Sequence, residues 1–247
     1  MNSVLEQIIA TNQVESNQGD KYQVHSHVSQ TEGEFLQGII NDIKPQNTLE
    51  VGLAYGVSAM FICDALADIP NAHHITIDPA QTRSFQGIGL SNLERAGHKD
   101  RIEFHELPSH IALPQLEAKG VKVDFAFIDG WHTFDHTLID FFLVDRLLKV
   151  GGILAIDDAN WPAIRKVCRF IATNRAYEPW RAMPVGQAFF RQQLFANLSP
   201  LTSRLRRFFR PEFIEPDTSL GLLPGSQCLV FKKLSDDDRR WDDYTDF

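Results

Sequence analysis

Apolar positions along the chain fall into short runs that alternate with longer stretches of helical period. Val123–Ile128 is a nearly unbroken apolar run ending in Asp129. A helical stretch follows from Thr133 to Leu148, then a Gly151-Gly152 turn, and then a second apolar run, Ile153–Ile156, ending in Asp157-Asp158. Two buried-type strands around one helix predict a right-handed parallel βαβ unit, with both strands finishing at the same edge. Neighbouring strands lie about 4.8 Å apart, so Asp129, Asp157 and Asp158 gather at one rim within reach of a single cation. In doubly wound sheets that carboxyl edge is where ligands bind.

The same alternation extends in both directions. Upstream, Thr31-Glu32-Gly33-Glu34 has the form of a capping box before an apolar helical face of Phe35, Leu36, Ile39, Ile40 and Ile43, with Pro45 as the stop. Thr48–Val51 predicts a strand, followed by Gly52-Leu53-Ala54-Tyr55-Gly56 and a helix from Val57 to about Ala67. Ser58 falls in that helix's first turn, where free N–H groups and the dipole favour an anionic group such as a carboxylate. His74–Ile77 predicts the next strand, ending in Asp78 where nucleotide-binding α/β folds keep an acid for ribose hydroxyls; an Asp-Pro turn is the plainer alternative. A helix over about Phe85–Ala96, a strand Ile102–His105 and a helix Ser109–Ala118 follow, with Ser109 and His110 placed to edge an adenine ring, or Ser109 serving only as a helix cap.

Downstream, a helix is expected from Trp161 to Thr173 and strands at about Gly186–Phe190 and Cys228–Lys232. Between those strands, at about 191–225, lies an insertion in which Leu205, Phe208 and Phe209 alternate with Arg204, Arg206, Arg207 and Arg210. It is expected to act as a lid, a homo-oligomer contact or a contact with an anionic surface, in that order. The chain is therefore expected to divide into an N-terminal arm or lid (1–27) and one domain (28–247). The acidic end is expected to pack back through Trp241 and Phe247, and His25 and His27 are expected to be solvent-exposed loop residues.

Composition narrows the partners. With 24 Lys+Arg against 32 Asp+Glu the formal net charge is −8, which disfavours nucleic acid and favours a small-molecule partner. No run approaches a membrane span, and the first residues lack a basic-then-apolar leader, so a cytoplasmic protein is expected. Three widely spaced cysteines, Cys63, Cys168 and Cys228, suggest neither a disulfide framework nor a zinc ribbon. The nicotinamide fingerprint G-x-G-x-x-G is absent, which weakens a dehydrogenase reading.

Glu50-Val51-Gly52 with Gly56, Asp78, Asp129-Gly130, Gly151-Gly152 and Asp157-Asp158 together resemble the class I S-adenosylmethionine-dependent methyltransferases. The chain is more closely similar to the catechol O-methyltransferase type and to bacterial sugar and antibiotic O-methyltransferases, from about Val28 to Thr173. The resemblance implies a Rossmann-like, mostly parallel seven-stranded sheet with a C-terminal antiparallel strand pair. It implies that Glu50, Gly52, Ala54, Tyr55, Gly56 and Ser58 hold the methionine end of S-adenosylmethionine. It further implies that Asp78 holds the ribose, that Ser109 and His110 border the adenine, and that Trp131 walls the cofactor beside Asp129. Asp129, Asp157 and Asp158 fall on metal positions, with Asp158 where the catechol enzyme has Asn; an all-oxygen donor set suits Mg²⁺, with Mn²⁺ or Ca²⁺ as alternatives. His132 stands at the position of the catalytic Lys, and an imidazole can accept a hydroxyl proton near neutral pH. The expected activity is methyl transfer to a hydroxyl of a sugar, natural product or catechol-like diol. The competing expectations are a metal-independent O- or N-methyltransferase and a non-catalytic cofactor-binding or assembly module.

Overall fold

The computed structural model describes residues 1–184 and 216–247. Helix α1 (Ser3–Thr11) and a small antiparallel hairpin, β1 (Gln13–Glu15) with β2 (Lys21–Gln23), form the N-terminal arm. It is ordered on the domain: Val4, Leu5 and Ile8 are buried, and Asn2 is hydrogen-bonded through both its backbone N–H and its side chain to Asp64. Helix α2 (Gln30–Ile43) is capped two residues earlier than expected, because Ser29 and not Thr31 takes the N-cap and its hydroxyl oxygen accepts from Glu32 N at 3.2 Å.

The main sheet follows as β3 (Asn47–Val51), α3 (Val57–Leu66), β4 (His73–Ile77), α4 (Gln81–Phe85), α5 (Ile88–Arg95) and β5 (Ile102–His105). The chain continues through α6 (Ser109–Ala118), β6 (Val123–Ile128), α7 (Phe134–Leu147), β7 (Leu148–Ile156), α8 (Pro162–Asn174), β8 (Tyr177–Pro184) and β9 (Ser226–Lys233). Strand order is β5-β4-β3-β6-β7-β9-β8, parallel except that β9 runs antiparallel to both neighbours. This is the expected doubly wound, seven-stranded, mostly parallel sheet with its antiparallel C-terminal strands. Order reverses between β3 and β6, and at that switch point the two exits diverge and leave a crevice. One apolar layer, including Leu36, Ile40, Phe61, Phe125 and Phe127, packs between the sheet and α2 and α3. A second, including Leu113, Phe141, Val144, Leu154 and Ile171, packs against α6, α7 and α8.

Two local backbone expectations are corrected. Gly151-Gly152 is a kink inside β7 rather than a turn before it: Val123 pairs with Leu148 but Phe125 with Ile153, and Gly151 absorbs the surplus residues at φ 82°. The helix expected over Phe85–Ala96 starts only at Ile88, set apart from the short α4 before it where Gln86 and Gly87 both take positive φ. The strand that ends the sheet, β8, lies at Tyr177–Pro184, while the Gly186–Phe190 expectation and the Arg/Phe-rich stretch lie outside the described residues. Of the insertion, residues 216–225 are described: Asp217 there is gripped by Arg165 and Arg169 of α8 at 2.8 and 2.6 Å. At the C-terminus Phe247 packs on Phe170 as expected and Thr245 exchanges hydrogen bonds with Asn174, whereas Trp241, the other expected anchor, is 95% exposed.

Candidate active site

A cavity of about 1010 Å³ opens at the carboxyl edge of β3, β4, β6 and β7. Its floor begins at Gly52, where the chain leaves β3 with φ 101°; a Cβ there would lie 2.0 Å from the carbonyl oxygen of Asp129. The loops after β3 and β6 are thus in backbone contact, as the crevice requires. Ala54 takes positive φ, and Gly56 follows at φ 78° as N-cap of α3. No side chain caps α3, so its first-turn N–H groups, those of Val57 and Ser58 among them, remain for an anionic ligand.

The sequence-derived cofactor residues divide into two groups. Gly52, Ala54, Tyr55, Ser58, Asp78, Ser109, His110, Asp129 and Trp131 line the cavity. Glu50 and Gly56 stand behind it. Glu50 is fully buried, and its carboxylate accepts from Ser58 Oγ at 3.0 Å and Thr76 Oγ1 at 3.1 Å, with His74 Nε2 3.5 Å away. That carboxylate shapes the loop from within, a correction to its expected place against the cofactor. Asp78, 5% exposed, also serves the loop: Oδ2 accepts from Leu53 N and Ala54 N at 3.2 and 2.8 Å, and Oδ1 from Ala80 N at 2.7 Å. His25 and His27 are exposed as expected, yet both line the rim, and His25 Nε2 lies 3.0 Å from the Tyr55 hydroxyl.

The three expected acids converge. Asp129 ends β6, Asp157 and Asp158 end β7, and Asp158 sits in the left-handed region at φ 50°. Gln227 of β9 donates from one amide nitrogen to Asp157 Oδ1 at 3.0 Å and Asp158 Oδ1 at 2.6 Å. His132 places Nδ1 3.2 Å from Asp158 Oδ2 and Nε2 4.0 Å from Asp129 Oδ1, with its ring 5.6 Å from that of Trp161. Burial, then the neighbouring Asp157, raises the carboxyls of both Asp129 and Asp158 above the usual range; at Asp158, Gln227 and His132 work against that rise. A fourth carboxyl joins them from α2: Glu32, 2% exposed, is pushed up to about 10, first by burial and then by its hydrogen bond with Asp157.

Glu32, Gln227 and the buried Asp140, which hydrogen-bonds Ser109, escaped the sequence reading. Glu32 carried a signal, its place in a helix-start motif, but the motif points to a cap. Gln227 lies about seventy residues from the acids it holds and carried none. As placed, no group of three or more His, Cys, Asp or Glu side chains among the described residues could hold a metal ion, because the acids are turned toward one another and Gln227.

Residues 49–159 match the family model described as a methyltransferase domain. Two relatives carry the comparison further: caffeoyl-CoA O-methyltransferase 2 of Petunia hybrida, 33% identical over 140 residues, and caffeoyl-CoA O-methyltransferase of Pinus taeda, 32% identical over 140 residues. The first match covers 54% of this chain and 54% of the relative, the second 54% and 50%. The chain thus spans about half the length of the curated relatives it matches. Among solved structures, an O-methyltransferase from Bacillus cereus in complex with S-adenosylhomocysteine superposes with a TM-score of 0.65 at 20% identity, covering 95% of this chain and 92% of that one. TomG of Streptomyces achromogenes, an O-methyltransferase of tomaymycin synthesis in complex with S-adenosylmethionine, gives 0.64 at 18% identity, covering 95% and 91%. Among the described residues no helix is long and apolar enough to cross a membrane.

Proposed function

We propose that the protein is an S-adenosylmethionine-dependent O-methyltransferase acting on a vicinal diol of a small molecule, with Asp129, Asp157 and Asp158 holding Mg²⁺ or a similar hard divalent ion. The observation that carries this is the convergence of His132 and three strand-end carboxylates in one cavity beside an uncapped helix start. The donor chemistry suits such an ion, being all oxygen and crowded with like charge, though the carboxylates must turn from their present partners toward it. Relatives named for caffeoyl-CoA favour a catechol-type acceptor over a sugar.

The cofactor supplies an activated methyl group, and the ion, when bound, lowers the pKa of an acceptor hydroxyl. The chain's own residues do the rest. First-turn N–H groups of α3 receive the cofactor's carboxylate, and Asp78 fixes the preceding loop by accepting two of its backbone N–H groups. Asp158 faces Nδ1 of His132 and thereby selects the tautomer that leaves Nε2 to accept the acceptor's proton. Exposed Trp131 and half-buried Phe85 bound the opening and hold the two reactants close, which supplies much of the rate.

Turnover with S-adenosylmethionine and a panel of catechols and sugar diols tests the proposal. Methyl transfer is expected to stop on exhaustive chelation and return with Mg²⁺, and His132→Ala is expected to lower kcat by about 10²- to 10⁴-fold. Full activity under chelation would overturn the metal assignment, and an unchanged kcat in His132→Ala would overturn the base.

A further inference from the structure

Asp140, in α7, is a buried acid that the methyl-transfer chemistry above leaves unused. It is 3% exposed, yet it lines the cavity, at the end shared with Ser109 and His110 of α6 and His136 of α7. The carboxylate lies against the tip of β6: a Cβ on Gly130 would come within 3.2 Å of its Oδ2. Ser109 is no cap, since Pro108 holds the N-cap position of α6 and no side chain caps that helix; its hydroxyl donates to Asp140 instead. One hydroxyl donor leaves most of a carboxylate's acceptor capacity unused. Burial pushes the carboxyl above its ordinary range, against the Ser109 hydrogen bond and the nearby imidazoles of His136 and His110. An acid held in so poorly solvated a place is costly unless a ligand brings the missing donor. Flat side chains share this end of the cavity, among them Trp131 and His136 with ring centroids 6.3 Å apart, and they suit a planar ring that turns a donor edge to the carboxylate.

We propose that Asp140 accepts a hydrogen bond from the 6-amino group of the cofactor's adenine, and is the residue by which the site selects an adenosyl group over other purine nucleosides. The inference rests on the reading of the cavity as an S-adenosylmethionine site with Ser109 and His110 beside the adenine, and adds to it the side chain that reads the base. The amine is the donor on the edge of adenine, whose ring nitrogens N3 and N7 only accept. A purine with a carbonyl at that position would set its oxygen against the carboxylate, two acceptors facing each other in a buried place. Ser109 then has a positioning role, because its hydroxyl fixes the orientation of the carboxylate that meets the base.

The probes are S-adenosylhomocysteine and its analogue with hydrogen in place of the 6-amino group, each titrated calorimetrically into the full chain. The wild type is expected to bind S-adenosylhomocysteine about 10- to 100-fold more tightly than the analogue, the loss of one hydrogen bond to a buried charged group. Asp140→Ala is expected to bind S-adenosylhomocysteine more weakly and the two ligands alike. The ratio is the readout, since an acid with a merely structural role would weaken both ligands equally. A wild type that binds both ligands equally, or an Asp140→Ala variant that keeps the wild-type preference, overturns the role of Asp140 and leaves the cofactor reading standing. A wild type that binds neither removes the cofactor reading and this inference with it. Should Asp140→Ala fail to fold, Asp140→Asn decides, because it keeps the shape and adds an amide donor. Relative to wild type it is expected to shift preference toward S-inosylhomocysteine, which carries a carbonyl at that position, and an unshifted preference contradicts the proposal.

Discussion

At the scale of single residues, Gly52 carries a constraint no other residue type can meet. Its φ of 101° lies where L side chains are strained, and the missing Cβ makes room for the Asp129 carbonyl oxygen at 2.0 Å. Any substitution must push the loop after β3 away from the tip of β6, and the close approach it breaks is what brings the glycine loop to the acids. Gly52→Ala is expected to cost about 1–3 kcal/mol for the forced contact, with the backbone strain in addition. Because the displaced atom belongs to Asp129, S-adenosylhomocysteine affinity should fall as well. Urea unfolding and calorimetry on the same variant check both; a variant as stable as wild type with unaltered affinity would show that the two loops can part freely.

At the scale of elements, the N-terminal arm is fastened by one carboxylate. Asp64, in α3, accepts from Asn2 N and Nδ2 at 2.8 Å each and lies 2.8 Å from His98 Nε2, so α1, α3 and the turn after α5 meet at one side chain. Burial works to raise its pKa, but hydrogen bonds from His98 and Asn2 more than reverse this, and the carboxyl lies below its ordinary value. The sign follows. A depressed folded-state pKa gives stability that is full above the unfolded value of about 3.9 and is lost as pH falls through the lower folded value. Acid should therefore loosen the arm in the window below about pH 4. Asp64→Asn is expected to remove that part of the pH dependence and to cost about 2 kcal/mol at pH 7, since hydrogen bonds to a charged group are lost. Denaturation midpoints of both proteins between pH 3 and pH 7 test it, and parallel curves would refute the assignment.

At the scale of the whole molecule, local pattern and distant pairing were unequally legible. The strand from Val123 to Ile128 and the helix from Ser109 to Ala118 were readable to the residue, because a short apolar run and a 3.6-residue period are written in consecutive positions. The three acids were readable because they end such runs. The kink at Gly151, the partner of Glu50 and the edge strand β8 depend on what lies across the sheet, and nothing adjacent in sequence announces that. The same holds for a polar network buried on the rim opposite the cavity. Asp145, 4% exposed near the end of α7, receives the guanidinium of Arg175 and the hydroxyl of Tyr177, and Lys233 Nζ lies 3.5 Å away. Lys233, itself 2% exposed, donates to the carbonyls of Asp145 and Leu148 and pairs with Asp236 of the tail. Burial, then the Asp145 carboxylate, drives the Tyr177 phenol upward, so it stays a donor across the working range of pH. Two buried cations share this carboxylate, and neutralising it leaves Arg175 with Asp237 and Lys233 with Asp236 as their remaining acidic partners. Asp145→Asn is expected to destabilise the protein by about 3–5 kcal/mol, lowering the urea midpoint without changing the slope. Since this network joins α7, β8 and β9 at the amino edge of the sheet, S-adenosylhomocysteine should bind the folded variant as tightly as the wild type. A weakened affinity in protein still folded would mean instead that the two rims of the sheet are energetically coupled through β7, whose residues run from one to the other.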